Sequence, residues 1–534
     1  MKGGMRAGTG RRPTRIAGFL IWWPMFVLGL MLPATGCTRT ATPMPSDVPP
    51  PEELPSPQAT SFTSAAPAEA YGQSPAPPDV DAPPEFSDLG TPSSGSFPFE
   101  GVLGYHLRAA LDYAERRLRV GMQVHYTNQT AGDQHALPLV VEANRRAGVF
   151  HLLDVQEGDG HRIASFELEA DRLILSLVPP LASGDQLDFS VDYALEIPSM
   201  SGPLGDSGRQ INFGDWYPFV PPMDKAGEWL IRRPAAVGEH LAYTRADHMV
   251  DIQIRNAPQS VLLASSGECD AIEGGFRCRL PAGRDFAWTV SPEYELLGGS
   301  AGEIKISIYV FPEHRAAGQA ALQAVGQAID LYGETFGPYP RPEFSVVESS
   351  FPDGMEYDGL VFVGGEYFRY YAGGPDSYLT TISVHEVSHQ WWHAIVANDQ
   401  AMEPWLDEAL ATYSEALFYE RVYPDLVDWW WNFRVQGFEP EGWVDGSIYD
   451  HHTFRSYVNA VYLRGALFLG DLRASLGDPA FETFLQTYLQ EQGGRVASGA
   501  DFFAALPEGF AARLPRLIAP YFQRPASEYI GQSN

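Results

Sequence analysis

Residues 378–397 read YLTTISVHEVSHQWWHAIVA. This largely apolar run contains no proline or glycine, and its spacing predicts a buried helix. His385 and His389 are four residues apart, so their rings leave one helix face one turn apart. Two imidazoles placed this way reach a single zinc ion at about 2.0–2.1 Å. Glu386 comes next round the helix, beside the metal position and not aimed at it. A general base acting on a metal-activated water belongs there.

The following segment, PWLDEALATYSEALFYE (404–420), predicts a second helix. Glu408 follows His389 with eighteen residues between them. A loop over 398–403 and an antiparallel return bring that carboxylate back to the two histidines. Two His and one Glu leave a fourth coordination position open, as catalytic zinc sites do. Glu415 lies seven residues beyond Glu408 on the same face, placed to orient a ligand. His393 lies four past His389, but Glu408 already completes the set, so His393 reads as packed or hydrogen-bonded. Upstream, IKISIYVF (304–311) and EFSVVESS (343–350) read as strands. HRAAGQAALQAVGQAIDLYGETFG (314–337) reads as a helix ending near Gly337 and Pro338. Strands followed by helices around one chemical centre indicate an α+β domain with a helical tail.

From about Phe99 to Glu295 the pattern is strand-like. LRVGMQVHYTN (118–128), RLILSLVP (172–179), LDFSVDYALEIP (187–198) and MVDIQIRNAP (249–258) carry β-formers between turn residues. One or two helical turns are expected near HLRAALDYAERR (106–117). Cys269 and Cys278 flank a Gly274-Gly275 pair that suits a hairpin, and an exported chain would join them in a disulfide. Trp391-Trp392 and Trp429-Trp430-Trp431 read as core, and His451-His452 as a solvated loop.

Residues 1–36 carry five cations and no acid around the apolar run Ile16–Leu32, and read as an export signal. Cys37 follows Ala34, Thr35 and Gly36, which resembles the lipobox of bacterial lipoproteins. Two readings stand: lipidation at Cys37 and a membrane-anchored place in the cell envelope, or plain cleavage and a soluble periplasmic or secreted protein. Residues 37–98 are rich in Pro, Ser and Thr and read as a disordered tether. The net charge of −31 excludes a general nucleic-acid binder.

HEVSHQWW, the eighteen-residue gap and WLDEALATYSE resemble the aminopeptidase N family of gluzincin zinc metallopeptidases. Gly354-Met355-Glu356-Tyr357 resembles that family's G-x-M-E-N strand, and VYLRG around Tyr462 its catalytic-tyrosine segment. NFGDWYPFVPP (212–222) resembles the end of its N-terminal domain. The resemblance implies a multidomain chain. Its parts are a β-sandwich-like domain (99–298), a thermolysin-like α+β catalytic domain (299–434) and a short C-terminal helical bundle (435–534). It implies one zinc ion on His385, His389 and Glu408, with Glu386 as base and Tyr462 as oxyanion donor. Glu356 then pairs with a peptide's free α-ammonium, while Gly354 and Met355 shape the substrate site. The implied activity is hydrolysis of N-terminal residues from peptides. Tyr357 in place of Asn, and a second ammonium anchor for which only Gln210 offers itself, leave looser endo- or dipeptidyl cleavage as an alternative. A non-catalytic peptide-binding lipoprotein is the third reading, and intact Glu386 and Tyr462 argue against it.

Overall fold

Alternating burial along Leu103–Asp112, with Leu107, Ala109 and Leu111 inside and Arg108 and Ala110 turned away, defines the central strand of the N-terminal region. The computed structural model describes residues 101–158 and 162–530. Leu103–Asp112 pairs antiparallel with Arg117–Thr127 and parallel with Ala246–Arg255, inside a seven-stranded sheet. The helical turns expected over 106–117 are therefore strand, turn and strand. Ala, Leu, Arg and Glu favour helix locally, but a period-two apolar face against a core overrides that preference. A three-stranded and a four-stranded sheet accompany the large one, and their inner faces share a core around Trp216, Trp288 and Phe213. The strands Glu268–Ile272 and Gly275–Gly283 form the expected hairpin, with Gly274 at φ 81° and Cys269 bonded to Cys278 across it.

The next layer is a five-stranded mixed sheet. Its spatial order is Glu295–Ala301, Ile304–Val310, Glu343–Ser349, Leu360–Gly364 and Gly354–Met355. The three inner strands run parallel and the two edges antiparallel. The first strand spans the boundary expected at 298/299. Helix α1 (Arg315–Thr335) lays Ala317, Ala321, Ala324 and Ala328 inward, and these small side chains bring it close to its neighbours. The short α2 (Gly365–Arg369) leads to α3 (Tyr378–His389), capped by Ser377. Burial of nearly every residue of α3 explains why this stretch is apolar on all sides. The chain continues with π-type hydrogen bonding over Gln390–Ile395 and returns as α4 (Trp405–Val422).

Then come α5 (Val427–Trp430), α6 (Phe454–Tyr457), α7 (Arg464–Leu476) and α8 (Asp478–Gln492). Trp391, Trp392 and Trp430 are buried in the core, and Trp429 and Trp431 pack against it. Among the described residues no helix is long and apolar enough to cross a membrane. The export signal, the tether and Cys37 lie outside the described residues.

Candidate active site

Helices α3 and α4 are antiparallel, since His389 meets Glu408 while His385, a turn earlier, also reaches Glu415, two turns later. His385, His389 and Glu408 are all nearly fully buried. His385 Nε2 stands 3.2 Å and His389 Nε2 3.6 Å from Glu408 Oε2. Tetrahedral zinc with bonds of about 2.0–2.1 Å needs donor atoms roughly 3.3–3.4 Å apart. The two measured separations bracket that value. These two nitrogens and one carboxylate oxygen form the donor set of an open zinc site, and the residues present fit the ion.

Glu415 holds the site from behind. His385 Nδ1 donates to Glu415 Oε1 at 2.8 Å, which leaves Nε2 as the metal-facing nitrogen. Glu415 also accepts from Trp430 Nε1 at 2.9 Å and from Arg434 Nε and Nη2, each at 3.0 Å. Burial works against its charge, yet Arg434 and His385 hold the carboxyl below its usual range. His389 Nδ1 has no such partner among the described residues. Glu415→Gln is expected to weaken zinc binding about 10- to 100-fold, read by competition with a chromogenic chelator.

Glu386 is buried, with Oε2 lacking any hydrogen-bond partner among the described residues. Its carboxylate fits against Gly354, where an added Cβ would stand 1.9 Å from Oε1. Only glycine leaves that space. Gly354→Ala is expected to displace the carboxylate and lower kcat on the order of 10²-fold, with zinc content unchanged in elemental analysis. The Tyr462 ring stacks on His385 at 5.9 Å between centroids. Burial first, and then the charge of Glu408, push the Tyr462 phenol up. Tyr457 is buried behind it, 5.5 Å from its ring.

The Gly354–Gly359 segment is pinned to the end of the α3 extension. Gly359 N–H donates to Gln390 Oε1 at 2.9 Å, and Gln390 Nε2 to the Tyr357 carbonyl at 3.2 Å. Asp358 is held by Arg341 through two bonds of 2.5 Å. Arg284, from the β domain, donates to the carbonyls of Ala394 and Ile395, where the π-type turn leaves acceptors free. Glu356 is thereby fixed in a buried position and accepts from Gln400 Nε2 at 3.1 Å.

Its neighbour was not legible in the sequence. Glu239, on an irregular segment, brings a carboxylate within 4.8 Å of donor oxygens of both Glu356 and Glu408. Burial, then the charges of Glu356 and Glu408, push its carboxyl well up. Gln210 does not take this place; its Nε2 donates to Asn212 Oδ1 at 2.8 Å in the four-stranded sheet region. No periodicity marks the segment around Glu239, so only the fold reveals it. His393 is hydrogen-bonded, as expected, with Nε2 donating to Asp285 Oδ2 at 3.1 Å. His451 and His452 join no set of metal donors among the described residues.

Comparison with known proteins matches residues 320–521 to the description "Peptidase family M1 domain". That segment contains His385, Glu386, His389, Glu408 and Tyr462. Over 235 residues the chain is 25% identical to Aminopeptidase M1 of Arabidopsis thaliana, covering 41% of this chain and 26% of that protein. Endoplasmic reticulum aminopeptidase 2 of Homo sapiens is 23% identical over 235 residues, 41% of this chain and 24% of its own length. Probable aminopeptidase 2 of Sulfurisphaera tokodaii is 22% identical over 249 residues, 43% of this chain and 32% of its own. The matched part thus spans only about a quarter to a third of these relatives. Within the matched segment the zinc ligands come from α3 and α4, and Tyr462 from the π-type turn ahead of α7.

Proposed function

We propose that the protein is a zinc-dependent aminopeptidase that removes N-terminal residues from peptides. The observation that carries this reading is the pair Glu356 and Glu239 beside Glu408. Two carboxylates at one side of the metal position suit a free α-ammonium, and a chain blocked at that point cannot satisfy them. Zinc, when bound by His385, His389 and Glu408, supplies Lewis acidity toward the scissile carbonyl and the attacking water.

The chain's own groups do the rest. Glu386 accepts a proton from the attacking water and passes it to the departing amine. Its unpartnered Oε2 and the space left by Gly354 keep the carboxylate free for that task. Tyr462 donates its hydroxyl to the carbonyl oxygen as negative charge develops there. Glu356, steadied by Gln400, and Glu239 hold the substrate's ammonium, while Met355 flanks the first side chain. The second anchor supplied by Glu239 favours this reading over looser endo- or dipeptidyl cleavage.

Hydrolysis of leucyl arylamide against its N-acetyl derivative tests the proposal. The free substrate is expected to be cleaved and the blocked one not; equal rates would reject exopeptidase specificity. The N-terminal residues extend the proposal to location. Export, lipidation at Cys37 and the 37–98 tether would hold the enzyme on the cell envelope, and mass analysis of the mature N-terminus decides between lipid and plain cleavage.

A further inference from the structure

Glu239 and Glu356 do not stand alone. They line a pocket of about 100 Å³ together with Asp215, Asp285, His240 and His393. Most charges on its wall are already answered within the protein. Asp285 accepts from His393 Nε2 and from the Asp358 N–H. His240 Nε2 faces Glu142 Oε2 at 3.2 Å. Glu239 and Glu356 are reserved for the substrate's ammonium in the reading above.

Asp215 differs. Its oxygens accept from two phenols, Tyr243 at 2.5 Å and Tyr357 at 3.2 Å, and it has no ion pair among the described residues. The backbone there is left-handed, with φ 52°, a conformation that structures tolerate mainly where something over-determines it. Tyr357 reaches Asp215 only because residue 214 is glycine; a Cβ there would lie 2.0 Å from the phenol oxygen. The sequence departure at Tyr357 and the glycine before Asp215 therefore serve one arrangement. It orients a half-buried carboxylate into a pocket and, among the described residues, gives it no ion-pair partner.

We propose that Asp215 receives the first side chain of the substrate and selects peptides that begin with a cationic residue, lysine or arginine. The inference rests on the aminopeptidase reading of the site. A carboxylate partly withdrawn from water and without a cation is destabilised, and an ammonium or guanidinium that enters the pocket offsets this through a charge-assisted hydrogen bond. A side chain of equal length without charge leaves the carboxylate as it was. Burial, and the negative charges of Glu142 and Asp285, push the empty pocket's Asp215 up to about 6, against the phenol of Tyr243 and the imidazole of His240.

The test compares lysyl and norleucyl arylamides on the full-length, zinc-loaded protein. Norleucine keeps lysine's four side-chain carbons and lacks only the ammonium. The kcat/KM ratio, lysyl over norleucyl, is expected to be about tenfold or more in the native protein. In Asp215→Asn it should fall toward one, whereas Tyr357→Phe, which keeps the charge, should retain most of it. A native ratio at or below one, with norleucyl arylamide still cleaved, overturns this inference and leaves the aminopeptidase reading standing. A ratio that survives Asp215→Asn overturns it as well. Failure to cleave either free substrate brings down both.

Discussion

Glu386→Gln is expected to lower kcat about 10²- to 10⁴-fold while the protein keeps its zinc. The amide matches the carboxylate in shape and fits the same space beside Gly354, so packing changes little. It cannot accept a proton from the attacking water. The metal donors are His385, His389 and Glu408, and none of them is altered. Rate and metal content measured on one preparation separate the two effects. Undiminished turnover would remove Glu386 as base, and loss of zinc would reassign it to holding the ion.

Glu356→Ala should be nearly as damaging, but only for substrates with a free N-terminus. Glu356 is buried, and among the described residues it accepts a hydrogen bond from Gln400 at 3.1 Å. Truncating one member of a desolvated charge pair costs about 2–5 kcal/mol, which corresponds to roughly 30-fold or more in kcat/KM. The loss is expected to fall mainly on KM, because the ammonium is bound in the ground state as well as in the transition state. Glu239→Ala should act in the same direction and more weakly, since Glu239 is the less buried of the two. An unchanged KM in both variants would detach these carboxylates from the substrate.

The zinc donors could be read from the chain because a helix converts sequence spacing into position. His385 and His389 are four apart, and α4 returns Glu408 and Glu415 at a spacing of two turns. Two inner strands of the five-stranded sheet, Ile304–Val310 and Glu343–Ser349, were legible for a similar reason, since they are continuous runs buried between layers. Where no regular backbone carries the residue, spacing says nothing. Asp215 and Glu239 belong to an irregular stretch whose course is set by contacts from distant residues, among them Tyr357 on Asp215 and the Phe286 carbonyl on Trp216. The second anchor had no place in the sequence reading beyond a guess at Gln210, which lies beside a short strand whose partners draw it into the β domain. Arg434 was invisible too, because a π-type turn over Trp431–Val435 brings it to Glu415.

Everything in this account depends on one ion held between α3 and α4. Elemental analysis of purified, active protein, run beside Glu408→Ala, tests that most directly. The expected result is one zinc per chain in the native protein and little or none in the variant, with activity lost in step. Active protein free of bound metal would contradict the account.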